Sequence, residues 1–296
     1  MKKTSWAAIA LVSVAVSWGA AFVLMKDAIA DQPFYDFLAT RFLIAGVLMI
    51  AFRPKVLRAF DKTTVKHGVF LGAILAAGYF TQTIGLELST AAITGFITGL
   101  YVVLVPIFSW VLYKVKAGKR LVWGVILATI ALGLISINGL AIGVGETWVI
   151  LCAALFAAHI VGLSKLSPGK DVYALTVLQL LTVAGFSGVG AFITDGYQAP
   201  ADSFGWFAVL FTAVFATAIA FLVQTWAQSI MDASRVAILL TGEVAWTAII
   251  AVMVGQEELS LKTIVGGLLM IASMLVVEWP TKNKDQPQVL LDPLVH

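Results

Sequence analysis

Long apolar stretches separated by short polar segments make up most of this chain of 296 residues. An α-helix that crosses about 30 Å of hydrocarbon needs about 20 mostly apolar residues. Charged residues and clusters of Pro and Gly divide the chain into ten stretches of this kind. The predicted spans are residues 5–26, 36–52, 68–87, 90–113, 120–138, 147–164, 172–194, 204–228, 234–254 and 261–279. The pattern therefore predicts an all-α polytopic membrane protein with ten transmembrane helices.

The composition favours the same class of protein. Hydrophobic residues make up 60% of the chain and charged residues 12%, and the mean hydropathy is +0.98. Soluble proteins carry about 25% charged residues, and a net charge of +3 is too modest to indicate nucleic-acid binding. The single cysteine, Cys152, excludes a disulfide framework and a cysteine-based metal site. We therefore expect a lipid bilayer and a small-molecule substrate as partners, with no nucleic acid, metal or cofactor, and leave a homo-oligomer open.

Basic residues are divided unequally between the two sides that ten spans define. Sixteen of the 19 Lys and Arg residues lie on the side of the N terminus, whereas Lys26, Arg41 and Lys262 lie on the other side. Cytoplasmic loops are enriched in Lys and Arg. This distribution predicts a multi-pass protein of the cell (cytoplasmic) membrane with both termini in the cytoplasm. The polar residues 281–296 are predicted to form a disordered cytoplasmic tail.

A weak internal repeat relates the two halves of the chain. Residues 98–124 resemble residues 241–267, which lie 143 positions later, and both begin with Thr-Gly. The fourth and fifth spans thus correspond to the ninth and tenth, so each repeat has five helices. An odd number places the halves in opposite orientations, as in many secondary transporters. The predicted repeats are residues 5–138 and 147–279.

Several short motifs occur in a defined order along the chain. They are Trp18-Gly19 with Phe22, Arg41-Phe42, Thr94–Gly99 leading to Pro106, Gln224-Thr-Trp-Ala-Gln228, Thr241-Gly-Glu243 with Gly255-Gln-Glu257, and Gly266-Gly267. Together they resemble the EamA-type, ten-span members of the drug/metabolite transporter superfamily. Val244 departs from that family, which commonly has Pro at this position. The resemblance implies a carrier of amino acids, other metabolites or toxic compounds, and most such carriers are exporters.

Three ionisable side chains inside predicted spans are candidates for function, because buried charge is costly in a membrane. Glu243 is a candidate for proton coupling or for binding a substrate amine, or else a structural carboxylate. Arg41 is a candidate for binding a substrate carboxylate or forming an outer gate, or else pairs with Asp36, Asp31 or a carbonyl at the outer mouth. His159 is a candidate proton relay, or else a hydrogen-bonded interior residue.

Amide and aromatic side chains in the spans predict a cavity for a partly polar organic molecule. The alternative is that the amides only form hydrogen bonds between helices. The predicted substrate-binding residues are Trp18, Phe22, Tyr79, Gln82, Tyr101, Gln224 and Trp246.

The sequence thus predicts a secondary transporter that exports small organic metabolites, such as amino-acid-like solutes, across the cytoplasmic membrane by alternating access. A broad-specificity exporter of drugs or toxic compounds is the alternative among transporters. A membrane-embedded enzyme is disfavoured, because the chain has no Gly-x-Ser-x-Gly or His-Glu-x-x-His motif, and His159 is the only histidine in a predicted span. No catalytic residue is predicted.

Overall fold

A computed structural model describes residues 3–88, 91–136, 143–194, 196–255 and 260–278. All regular secondary structure in these ranges is helical. The α-helices are α1 (Lys3–Asp31), α2 (Phe34–Phe52), α3 (Lys62–Leu88), α4 (Ala91–Gly99), α5 (Tyr101–Tyr113), α6 (Lys119–Ser136), α7 (Val144–Leu166), α8 (Val172–Ile193), α9 (Ser203–Ala213), α10 (Ala220–Gln228), α11 (Ala233–Thr241), α12 (Glu243–Met253) and α13 (Leu261–Glu278). A 3₁₀ turn covers Pro54–Ala59, and a π-helical turn, Val214–Ile219, joins α9 to α10.

The described helices confirm a polytopic membrane protein. Seven are long and apolar enough to cross a membrane, when Ser203–Gln228 and Ala233–Met253 are each taken as one helix. Two further apolar helices, Ile97–Tyr113 and Ile264–Val277, are shorter. Large apolar side chains are widely exposed on the outer faces, as lipid contact requires. Ten crossings stay a prediction. The tail 281–296 and the last residues of the predicted span 120–138 lie outside the described residues.

Two spans that the sequence predicts as continuous helices are interrupted at equivalent positions. Helix α4 ends at Gly99 and α11 ends at Thr241, and single residues, Leu100 and Gly242, connect them to α5 and α12. At the first interruption the amide of Leu100 donates to the carbonyl of Ile97 at 3.1 Å, which tightens the helix locally. At the second, a Cβ on Gly242 would overlap the methyl group of Met274. The first interruption directly follows the Thr98-Gly99 pair of the internal repeat, and the second falls on the glycine of the Thr241-Gly242 pair.

The helices pack in a pattern in which each half of the chain contacts the other. Helix α1 packs against α9–α12 of the second half, and α7 packs against α3–α5 of the first half. Helix α2 packs against α8, and α6 packs against α13. The four helices α1, α3, α7 and α10 thereby come together at the centre, and they supply most of the side chains around the cavity described below.

One end of the α2–α8 pair is held by polar contacts. The guanidinium of Arg53, just after α2, donates to both carboxylate oxygens of Asp171 at 3.0 and 3.3 Å. Asp171 is also the N-cap of α8, because its side chain accepts from the amide of Ala174 at 3.0 Å. The hydroxyl of Tyr173 donates to the carbonyl of Met49 at 2.6 Å.

The other end of the pair is held by the segment that follows α8. The amide of Gln198 donates to Oδ2 of Asp36 at 3.0 Å, and its carbonyl accepts from the side chain of Gln32 at 2.8 Å. The hydroxyls of Thr40 and Tyr197 are hydrogen-bonded at 2.8 Å. Polar contacts therefore join α2 and α8 at both ends.

Helices α1 and α12 approach closely at Gly19. A Cβ at this position would lie 2.8 Å from the backbone nitrogen of Thr247 and 2.8 Å from Cβ of Trp246. Backbone atoms cannot rotate away as a flexible side chain can. The absence of a side chain at Gly19 therefore sets the distance between the two helices.

We expect Gly19→Ala to destabilise the protein by about 1–3 kcal/mol, because the added methyl forces α1 and α12 apart. Gly185→Ala is the matched control, since a Cβ on Gly185 has no atom within 4 Å. Thermal unfolding of both variants in detergent tests the expectation. Equal midpoints for the two variants would show that the close approach at Gly19 does not contribute to stability.

Candidate functional site

A cavity with about 60 Å³ of space for the centre of a water-sized sphere lies among the central helices. Helices α1, α2, α3, α5, α7, α10 and α12 each supply at least one side chain to its wall. The residues around it are Trp18, Ala21, Phe22, Met25, Arg41, Leu75, Tyr79, Gln82, Tyr101, Phe156, His159, Ile160, Phe221, Gln224 and Glu243.

Arg41 is a buried cation in the wall of this cavity, with 3% of its surface exposed. Its Nε donates to the hydroxyl of Thr217 at 2.6 Å, and one terminal nitrogen donates to the carbonyl of Ala216 at 3.3 Å. The other terminal nitrogen contacts the sulfur of Met25 at 3.8 Å. Among the described residues no carboxylate pairs with Arg41. The guanidinium therefore keeps N–H groups for a further acceptor.

The π-helical turn supplies the acceptors that hold Arg41. The wider π-helix breaks the regular hydrogen-bond ladder, so a carbonyl becomes available to side chains of other helices. The carbonyl of Ala216 accepts from Arg41 and also from Nε1 of Trp18, at 2.9 Å. This turn thus joins α1 and α2 to the second half of the chain through a single carbonyl group.

Aromatic rings form one side of the cavity. The ring of Tyr79 lies 5.1 Å from that of Phe42, 5.5 Å from that of Phe156 and 6.4 Å from that of Phe221, measured between centroids. The Arg41 guanidinium carbon lies 5.5 Å from the centroid of Tyr79, within the range of a cation–π interaction. An apolar or cationic part of a solute would contact these rings favourably.

Glu243 and Tyr101 reach the cavity from the two helix interruptions. Tyr101 is the first residue of α5, and Glu243 is the first residue of α12. The N-terminal end of a helix favours a negative charge, which suits Glu243. Within the described residues the carboxylate of Glu243 forms no ion pair, and the buried hydroxyl of Tyr101 has no hydrogen-bond partner.

Two amide side chains lie beside these groups. Nε2 of Gln82 lies 3.4 Å from the hydroxyl of Thr98, a long hydrogen bond. Nε2 of Gln224 donates to Oε1 of Gln228 at 3.0 Å, and Gln228 donates in turn to the carbonyl of Ile160 at 2.6 Å. Oε1 of Gln224 is buried without a partner among the described residues.

His159 is buried at the wall between α7 and α8. Its Nε2 is 2.8 Å from Oε1 of Gln179, whose own Nε2 donates to the carbonyl of Leu175 at 3.1 Å. The ring also lies 6.3 Å from that of Phe221. Its position is compatible with either predicted role, a hydrogen-bonded interior residue or a proton relay, and the proton relay stays a prediction.

The structure brings nearly all of the predicted site residues together. Nine of them line the cavity, namely Trp18, Phe22, Arg41, Tyr79, Gln82, Tyr101, His159, Gln224 and Glu243. Trp246 is not among the lining residues, because it lies three residues beyond Glu243 at the contact with Gly19.

Sequence reasoning missed the apolar lining of Met25, Leu75, Phe156 and Phe221. It also missed Gln179, which contacts His159 from behind the wall. No group of three or more His, Cys, Asp or Glu side chains in the described ranges is arranged to hold a metal ion.

Known proteins resemble this chain over nearly its whole length. The profile of the EamA-like transporter family matches twice, at residues 5–137 and 143–279. An "Uncharacterized transporter" of Archaeoglobus fulgidus is 32% identical over 277 residues, covering 93% of this chain and 86% of the relative. The "Uncharacterized transporter YvbV" of Bacillus subtilis is 28% identical over 292 residues, covering 94% and 93%.

The fold is also similar to that of a solved structure described as "Crystal structure of protein". The two superpose with a TM-score of 0.76 at 18% sequence identity, covering 93% of this chain and 96% of the other. Both sequence relatives are named transporters, and the helices described above are those of a multi-pass membrane protein. The chain therefore belongs to the EamA-like transporter family, and it is a membrane transporter and not an enzyme.

Proposed function

We propose that the chain crosses the cytoplasmic membrane ten times as two inverted five-helix repeats, residues 5–138 and 147–279, with both termini in the cytoplasm. The two family matches support the division into halves. The helix interruptions at Leu100 and Gly242 support it independently, because they fall at or directly after the repeat-related Thr-Gly pairs. The excess of basic residues on one side supports the orientation.

The packing of the helices agrees with this symmetry. In the proposed repeat α1 corresponds to α7, and α9–α12 correspond to α3–α5. The packing of α1 against α9–α12 therefore has its counterpart in the packing of α7 against α3–α5. The pairs α2–α8 and α6–α13 each join equivalent helices. Two inverted halves with interchangeable contacts provide the basis for alternating access, in which a central site opens to either side in turn.

The proposed substrates are small organic metabolites that carry both a carboxylate and an ammonium group, as amino-acid-like solutes do. The observation that carries this proposal is that Arg41 and Glu243 line the same cavity, and neither forms an ion pair within the described residues. The fork of a guanidinium matches a carboxylate, and a carboxylate matches an ammonium group. A zwitterion would therefore satisfy both charges at once. The proposed direction is export, as in most transporters that the sequence motifs resemble.

A broad-specificity exporter of drugs or toxic compounds is the second candidate. The aromatic side of the cavity favours it, because Trp18, Tyr79, Phe156 and Phe221 would contact a flat cationic dye through ring stacking and cation–π interactions. Arg41 argues against it, since a buried cation without a paired carboxylate repels a cationic solute. The substrate that is transported decides between the two candidates.

In proteoliposomes, we expect the purified protein to transport zwitterionic amino acids and not lipophilic cationic dyes. Arg41→Lys keeps the charge but loses the fork, so the apparent affinity for a zwitterion should fall at least about tenfold, as for the loss of a charged hydrogen bond. Gly185→Ala, which alters an open outer position, is the control and should transport normally. Transport of dyes without transport of any zwitterion would favour the second candidate instead.

We expect Glu243→Gln to abolish accumulation driven by a pH gradient while exchange of solute between the two sides continues at raised solute concentration. Exchange needs no net movement of protons, and the lost carboxylate weakens ammonium binding without preventing it. The matched control is Glu87→Gln, which removes an exposed acid outside the cavity lining. Radiolabelled uptake with and without a pH gradient separates the two activities. Gradient-driven accumulation that survives in Glu243→Gln would contradict a coupling role for this residue.

The proposed topology predicts that tags at the two ends of the chain lie on the same side of the membrane. A reporter that is active only in the cytoplasm should be active at both the N and the C terminus. A reporter placed in the segment 196–202 between α8 and α9 serves as the opposite-side control. Opposite locations for the two termini would exclude an even number of spans.

A further inference from the structure

Two glutamines that do not line the cavity each fix the orientation of a group that does. Gln228 lies on α10 and Gln179 lies on α8, and both are buried. Each is anchored to a backbone carbonyl, Gln228 to that of Ile160 and Gln179 to that of Leu175. A carbonyl accepts hydrogen bonds only, so the amide nitrogen of each glutamine must face it. The amide oxygen of each must then face the neighbouring side chain.

The orientation of Gln224 follows from that of Gln228. Nε2 of Gln228 donates to the carbonyl of Ile160 at 2.6 Å and lies 2.8 Å from the hydroxyl of Ser164, so its Oε1 is the atom left for Gln224. The partner of that oxygen has to be the NH₂ group of Gln224, 3.0 Å away. Consequently Gln224 keeps its Oε1, an acceptor, beside the cavity, where this atom is buried without a partner.

The tautomer of His159 follows from Gln179 by the same reasoning. Nε2 of Gln179 is used by the carbonyl of Leu175, so Oε1 of Gln179 faces Nε2 of His159 at 2.8 Å. An amide oxygen accepts only, and the imidazole must therefore carry its proton on Nε2. In the neutral ring Nδ1 is then an acceptor, and the described residues supply no hydrogen bond to it.

These orientations determine which polar groups present hydrogen-bond acceptors to the cavity and which present donors. Gln224, His159 and the carboxylate of Glu243 offer acceptors, and Arg41 offers donors only. Tyr79, Tyr101 and Gln82, which also line the cavity, can each donate or accept. An ammonium group with N–H bonds satisfies the acceptors, but a fully methylated nitrogen has the same charge and no hydrogen to donate. A solute with a fully methylated nitrogen leaves the acceptors unpaired. The binding free energy lost in this way is far larger than that gained by burying the extra methyl groups.

We propose that Gln179 and Gln228 are positioning residues which hold the cavity wall in this acceptor arrangement, so that the protein selects solutes whose cationic nitrogen carries N–H groups over their N-trimethyl counterparts. This inference rests on the proposed transport of zwitterions. It separates N–H cations from quaternary cations, a distinction that the aromatic wall does not make, because cation–π contact accepts both.

The first test compares an amino acid with its N-trimethyl betaine as substrates of the reconstituted protein. The wild type should prefer the amino acid at least about tenfold in apparent affinity, as expected for the loss of a charged hydrogen bond. Gln228→Met frees the amide of Gln224 to turn, so the preference should fall several-fold through weaker amino-acid binding. Gln32→Met is the matched control, because it removes a buried amide that binds Gln198 away from the cavity, and its preference should equal that of the wild type.

The outcomes for the inference and for the proposed function differ. Equal affinities of the wild type for the two solutes would overturn the inference while leaving zwitterion transport intact. Transport of neither solute, nor of any other zwitterion in the panel, would instead contradict the proposed function. An unchanged preference in a folded Gln228→Met protein would exclude the role of Gln228.

A second measurement does not depend on transport. Nitrogen NMR of histidine-labelled protein distinguishes the two imidazole tautomers, and the His159→Asn variant identifies the signal among the 3 histidines. Wild-type His159 should carry its proton on Nε2, and Gln179→Met should yield a mixture of tautomers. A wild-type signal with the proton on Nδ1 would overturn the inference.

Discussion

The placement of one buried guanidinium constrains the centre of this protein. Arg41 has no carboxylate partner in the described part of the chain. The cost of burying its charge is therefore offset by neutral acceptors from another helix. The π-helical turn Val214–Ile219 provides them, and Trp18 uses the same carbonyl. Helices from both halves of the chain therefore meet where the charge is buried.

Much of the candidate site was predictable because a membrane span is otherwise apolar. Against such a background Arg41, Gln224 and Glu243 are conspicuous, and the cost of burying them indicates function or tight pairing. The Thr-Gly pairs of the repeat also indicated where the two halves correspond, although the interruption of the helices at these pairs was not predicted. The number of crossings and the inversion of the halves remain predictions that the helix packing supports.

Other features left no readable signal in the sequence. Phe156 and Phe221 line the cavity, but the chain contains 18 phenylalanines, and only tertiary packing separates those that face inward from those that face lipid. Trp246, whose aromatic character suggested the cavity, packs against α1 at the close contact with Gly19 and is not among the residues that line the cavity. The importance of Gln179 depends on what it contacts across a helix boundary, which spacing along α8 does not specify.

The polar contacts at both ends of α2 and α8 have a mechanical consequence. Parting these two helices would break the Arg53–Asp171 ion pair at one end or the contacts of Gln198 at the other. The contacts at both ends therefore favour movement of α2 and α8 as one unit. Any rocking that exposes the centre to one compartment breaks fewer contacts if the remaining helices move relative to this pair than if the two helices separate.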